Sequence, residues 1–299
     1  MDKKYVIYQN DLKHRNMTKL DINKIDWVQN DIRHLYNINH DTIDYRLHES
    51  TKDNYQHIDL TNLNLKNLPN QIENNTYYNS LIHLFISNNN IKGKLNLSNF
   101  KKIESIDIDN NEIEEIILPE SLKELSISNN KLKYIKCNKN LMRIKCSNNI
   151  IEKIDLNNNL EICVFDNNKI TNLNMYNLNK CEKIIIYNNP LQNLITPSVL
   201  KYLDISETLI NELYDCDNLL HLVANKCINL KNLPKYKNIE FIEIIETPIE
   251  RLYFYEKYKL ILIQLNLTKN ISKKYKDNNA LIQIRNNILL TISRGIEFL

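Results

Sequence analysis

The sequence predicts an α/β solenoid of stacked coils, with a curved parallel β-sheet along one side and a helical cap at each end. Three observations carry this. From Leu81 onward a segment recurs every 19 to 22 residues, as in LKELSISNNKL, LMRIKCSNNII and LEICVFDNNKI. Within each copy apolar and polar residues alternate, the period of a half-buried strand. Both flanks lack the repeat and show helical apolar spacing instead.

Residues 1–54 form the N-terminal region, a partly helical cap. It holds the only tryptophan, Trp27, and an apolar series Ile25, Val28, Ile32 and Leu35 at helical spacing. The array follows over residues 55–270. Its register is tracked by a polar slot at Asn89, Asn111, Asn130, Asn149, Asn168, Asn189, Thr208, Cys227, Thr247 and Thr268. A degenerate first copy has Ile58, Leu60, Leu63, Leu65 and Leu68, with Leu63 in the polar slot, which makes eleven rows. One row cannot bury its own apolar residues, so stacked neighbours must cover them. The expected core pairs are Leu84/Ile86, Ile106/Ile108, Leu125/Ile127, Ile144/Cys146, Cys163/Phe165, Ile184/Ile186 and Leu203/Ile205.

The polar column needs a separate reason, because a buried amide is costly unless paired. An Asn side chain has the donors and the acceptor to satisfy backbone groups left open at the bend after each strand. Thr and Cys keep one donor and offer fewer bonds, so the later rows are expected to be held less firmly. The whole chain has 2 glycines in 299 residues, while about one residue in six is Asn, far outside ordinary usage. Asn is therefore expected to take left-handed turn positions usually given to Gly. Surface Asn outside the column reads as compositional bias of AT-rich coding sequence. Residues 271–299 form the C-terminal helical cap: Asn278 is placed to cap a helix with the stripe Leu281, Ile284, Ile288 and Ile292, shielding the last coil.

Composition excludes several functions. The formal net charge is +3, with 39 basic and 36 acidic residues interspersed, which gives no nucleic-acid footprint. No apolar run is long enough for a secretory signal or a membrane span, which predicts a cytoplasmic protein. Among the six cysteines no C-x-x-C pair occurs, and Cys146 and Cys163 fall in core slots, so free buried thiols are expected and only Cys216 reads as a loop residue. His57 and His83 share one outward column, but two ligands are too few for a zinc site. No metal, no cofactor and no catalytic motif is assigned, and the chain is read as non-enzymatic.

Function is then expected on the sheet face, where outward side chains flank the core pair. Its first half is polar, with an acidic patch at Asp107, Asp109 and Glu124. The second half is apolar and aromatic, with Ile162, Val164, Ile185, Tyr187, Tyr202, Val223, Phe241 and Ile245 sharing one exposed face. With Phe85 these are the candidate partner-binding residues, because contiguous exposed apolar area marks partner contact and interface centres favour aromatics.

The template L-x-x-L-x-L-x-x-N-x-L, as carried by residues 55 to about 270, resembles that of the leucine-rich-repeat proteins. That resemblance implies a right-handed horseshoe, a concave parallel sheet and protein recognition on it. The short rows leave room on the convex side for extended chain or 3₁₀ turns only. The Asn, Ile and Lys bias is similar to that of leucine-rich-repeat proteins of giant amoeba viruses, and AT-rich protists and bacteria fit it too; the expected partner is a protein, a host protein being one candidate, and the expected state is a monomer. Two other readings stand beside this: a substrate adaptor recruiting a ubiquitin ligase through residues 1–54, and a structural protein that assembles through its ends or faces.

Overall fold

The computed structural model describes residues 43–249 and 262–264. Eleven three-residue strands pair in parallel, one per row, into a single sheet. They are β1 (His57–Asp59), β2 (His83–Phe85), β4 (Ser105–Asp107), β6 (Glu124–Ser126), β8 (Arg143–Lys145) and β10 (Ile162–Val164), followed by β12 (Lys183–Ile185), β14 (Tyr202–Asp204), β15 (His221–Val223), β16 (Phe241–Glu243) and β17 (Leu262–Gln264). The expected eleven-row register is observed, since the central residues Ile58, Leu84, Ile106, Leu125, Ile144, Cys163, Ile184, Leu203, Leu222, Ile242 and Ile263 pair in line.

The opposite wall is mainly extended, as the short rows require. It carries three separate two-stranded sheets: β3 (Lys92–Asn96) with β5 (Glu112–Ile117), β7 (Tyr134–Lys136) with β9 (Lys153–Asp155), and β11 (Asn172–Asn174) with β13 (Asn193–Ile195). Gly93, at φ +67°, sits where the β3/β5 register shifts. Between the two walls lies one continuous apolar core running from Ile58 to Ile249, and it includes every core pair named above.

The Asn column joins the coils. Asn149 Nδ2 donates to the carbonyls of Ile127 at 2.9 Å, Cys146 at 3.2 Å and Ser147 at 3.2 Å, and its Oδ1 accepts the Leu132 N–H at 3.0 Å. Ile127 and Leu132 belong to the preceding row. Asn111, Asn130, Asn168 and Asn189 repeat this pattern. Each Asn of the column therefore serves the row before it, which explains the break at Leu63: Asn89 of the second row accepts the Leu63 and Leu65 N–H groups and donates to Leu60 O. Later the ladder thins. Thr208 Oγ1 donates to Ile205 O of its own row at 2.7 Å and stands 3.7 Å from Cys227 Sγ, while Thr247 Oγ1 donates to Ala224 O at 2.6 Å and accepts the Cys227 N–H at 3.0 Å.

The residue just before the column is left-handed in every row from Asn88 to Glu246: Asn88, Asn110, Asn129, Asn148, Asn167 and Asn188, then Glu207, Lys226 and Glu246, at φ 51–58°. Six asparagines thus do the turn work that glycine performs elsewhere.

The 26-residue step between Leu63 and Asn89 accommodates a 3₁₀ turn, Asn70–Ile72, and the short helix α2 (Asn75–Ser80), capped by Asn74 Oδ1, which accepts from Thr76 N and Tyr77 N. Ahead of the array α1 (Ile43–Ser50) packs Ile43 and Leu47 on the core, and Arg46 Nη1 donates to Asp59 O at 3.1 Å. The helical spacing at Ile25–Leu35, the C-terminal stripe Leu281–Ile292 and Thr268 lie outside the described residues.

Candidate interaction face

The outward residues of the long sheet form two registered columns. One runs His57, His83, Ser105, Glu124, Arg143, Ile162, Lys183, Tyr202, His221 and Phe241, and the other runs Asp59, Phe85, Asp107, Ser126, Lys145, Val164, Ile185, Asp204, Val223 and Glu243. The strand pleat points both away from the core.

This face is not the exposed apolar surface that the sequence suggests. Phe85, Asp107, Ile162, Tyr202, Val223 and Phe241 are buried, while Asp109, Glu124, Val164, Ile185, Tyr187 and Ile245 are half-buried. None of the twelve is exposed. Part of the reason is local: rows about 5 Å apart let long side chains cover short ones, so that Ser126, Ser128 and Ser147 are buried too.

The acidic patch is also corrected. Ser87 Oγ donates to Asp107 Oδ1, and Ser126 Oγ and the Ser128 N–H donate to Asp109 Oδ1 at 2.7 and 2.6 Å. Lys145 Nζ stands 3.6 Å from Asp109 Oδ2, and Arg143 pairs with Glu124 and lies 3.8 Å from Glu161. The carboxylates stand in rows three and four and the cations in row five, and strand register sets them side by side. Burial pushes the Asp109 carboxyl above the usual carboxylate range against the pull of Lys145, with Asp107 adding to the rise. Burial likewise raises Glu124, opposed by Arg143.

In the C-terminal half Tyr202, Val223 and Phe241 make a second apolar cluster, with Ile185 packed against it. Polar residues break into this half: Lys183 Nζ lies 4.2 Å from the Tyr202 ring centroid, and the His221 ring sits 6.2 Å from Tyr202 and 6.0 Å from Phe241. At the other end His57 and His83 stack, with centroids 4.9 Å apart and planes 12° apart. Parallel rings aim their lone pairs side by side rather than at one point. His57 Nδ1 meets Asp53 Oδ2 at 2.5 Å, and burial, followed by the His57 charge, lowers the His83 pKa. Among the described residues no group of three or more His, Cys, Asp or Glu side chains is placed to hold a metal ion, and no helix is long and apolar enough to cross a membrane.

Two features escaped the sequence reading. Asn138 and Asn157 form a second amide ladder at the other bend: Asn138 Nδ2 donates to Pro119 O and Leu122 O, and Asn157 Nδ2 to Asn138 O and Leu141 O. These asparagines are structural rather than compositional bias. Cys216 occupies the equivalent slot, with Sγ 3.6 Å from Pro197 O and Leu200 O, and is buried rather than in an open loop. The signal was the spacing of 19 residues between Asn138 and Asn157, hidden by the abundance of Asn around it. Second, among the described residues the exposed large apolar side chains lie off the long sheet: Tyr134, Tyr176, Ile195, Leu209, Tyr214 and Ile228.

An eleven-row parallel sheet joined by an Asn ladder across a leucine and isoleucine core is the leucine-rich-repeat fold, with the long sheet as its concave side. The leucine-rich-repeat domain of LRIM1 is 17% identical over 69% of this chain and 72% of its own, with a TM-score of 0.54. LRIM1 in its complex with APL1C matches at 15% identity and a TM-score of 0.54, over 80% of this chain and 51% of that chain. YopM from Yersinia enterocolitica WA-314 is 20% identical over 75% of this chain and 67% of its own, with a TM-score of 0.47. Neither a protein-family model nor a curated protein matches the chain.

Proposed function

We propose that this chain is a non-enzymatic protein-interaction module that takes a protein partner on the concave face of its central rows. One observation carries the reading: Glu124, Arg143, Lys145, Val164, Ile185 and Tyr187 remain half-buried in adjoining rows β6 to β12. They form a strip of paired charge running into apolar side chains. Such a surface combines an apolar centre with a charged border that fixes orientation. LRIM1, which shares the fold, is itself seen in a complex with another protein, APL1C.

The test is capture by the full chain and by a Val164→Glu variant. Val164 is partly accessible and pairs in register with Lys145, so the fold is expected to survive. Loss of about tenfold or more in partner capture, with an unchanged denaturation midpoint, is the expected result. Equal capture by both proteins overturns the concave assignment.

A further inference from the structure

Row seven carries β12 and Asn189, and row eight carries β14 and Thr208. Three features of the array change together at the seam between them. The first is the column. Asn111, Asn130, Asn149, Asn168 and Asn189 each bond a carbonyl and an N–H of the row before. The Thr208 side chain bonds Ile205 O of its own row, stands 3.7 Å from Cys227 Sγ of row nine and, among the described residues, bonds nothing in row seven. The second is the left-handed turn, which is Asn in every row from Asn88 to Asn188 and then Glu207, Lys226 and Glu246, residue types that meet a steric penalty there. The third is the opposite wall: strands β3 to β13 cover rows two to seven, and among the described residues no strand of that wall follows in rows eight to ten.

The seam is also open on the outside. A cleft of about 880 Å³ lies across it, lined by Gln192 and Asn193 of row seven, Leu209 and Leu213 of row eight and Ile228 and Leu233 of row nine. Leu209, Tyr214 and Ile228 stand exposed in rows eight and nine. At the second bend the amide donors Asn138 and Asn157 give way to the weaker thiol of Cys216.

Each row of a solenoid touches only its neighbours, so stability is a sum of row and seam contributions, and a weak seam divides the array into units that open separately. The long sheet still crosses this seam, where Ile186 N donates to Asp204 O at 2.9 Å and Asn188 N to Ser206 O at 2.8 Å. The amide link through the interior and the strand pairing on the far wall do not. We propose that rows eight to ten form an end unit that unfolds from the array while rows two to seven stay closed, with the boundary between Asn189 and Thr208. Opening uncovers the edge of β12 and the core residues Ile184 and Ile186. It leaves whole the strip from Glu124 to Tyr187, which lies on the closed side. The inference does not depend on the partner reading, because no partner enters its test.

The cysteines of the full chain report on the seam. Cys137, Cys146, Cys163 and Cys181 are buried before it, and Cys216 and Cys227 are buried after it. Iodoacetamide labelling in urea below the main transition, mapped by mass spectrometry, is expected to modify Cys216 and Cys227 together, with one urea dependence and at least about tenfold faster than the other four. Glu207→Asn/Thr208→Asn, which restores the pair found in row seven, should slow both by about tenfold or more and leave the four unchanged. If that variant does not fold, Glu207→Asn alone, at an exposed position, should slow them by about threefold or more. The proposal is overturned if all six thiols label at one rate, if Cys181 labels in step with Cys216 and Cys227, or if Cys227 runs well ahead of Cys216. So it is if the repaired turn leaves both rates as they were.

Discussion

Asn149 accepts the Leu132 N–H through Oδ1 at 3.0 Å while its Nδ2 donates to Ile127 O at 2.9 Å, so one buried amide closes two open backbone groups of the preceding coil. Replacing it with Leu leaves those groups unpaired in an apolar setting. Asn149→Leu is expected to destabilise the fold by about 1–3 kcal/mol. Thr208, which makes a single backbone bond, is expected to lose only about 1 kcal/mol on change to Val. Urea denaturation of both variants checks the contrast, and equal losses would remove the ladder as the explanation.

The second ladder makes a similar claim at the other bend. Asn138 Nδ2 bonds two carbonyls of the preceding row and its Oδ1 accepts the Asn140 N–H at 2.9 Å. Asn138→Leu should therefore cost about 1–3 kcal/mol, whereas an exposed asparagine such as Asn179 changed to Leu should fall within about 0.5 kcal/mol. Comparison of the two midpoints decides whether the second column is structural.

The raised carboxyls of Asp109 and Glu124 give a pH signature. A carboxyl whose folded pKa exceeds its unfolded one binds more protons when folded, so its contribution to stability falls as pH rises from the unfolded value to the folded value. Asp109→Asn and Glu124→Gln remove this term. Measured by urea denaturation from pH 4 to pH 7, each variant should gain stability relative to the parent as pH rises. A difference that stays flat or runs the other way would refute the assignment.

All six cysteines are buried and free. Burial pushes the Cys137 thiol up to about 12 and raises Cys146 and Cys163 well above the ordinary range. Because the thiolate is the reactive form, an aromatic disulfide reagent at neutral pH is expected to find no rapidly reacting thiol in the native chain and six in urea. A fast native reaction at Cys216 would restore its reading as a loop residue.

Glu246 holds φ 56°, a region where a side chain other than Asn costs about 1–2 kcal/mol. Glu246→Asn restores the residue type used in the earlier rows. A rise in stability of roughly 0.5–1 kcal/mol is expected by denaturation, and a loss would show that the position is held by its side chain.

The sequence by itself determined the solenoid, the eleven rows and the residue at each core slot, because a repeat of 19 to 22 residues with alternating apolar positions admits one register that buries every row. It also marked the Asn column, where type and spacing coincide. Only the tertiary structure decided how open the concave face is. Arg143 and Lys145 lie 19 and 36 residues from the Glu124 and Asp109 that they neutralise, and Asn138 and Asn157 acquire their roles from the carbonyls of neighbouring rows. Tyr202 and Phe241 read as surface residues by alternation, yet are buried. Strand period fixes which way a side chain points, while exposure depends on what the rest of the chain brings in front of it.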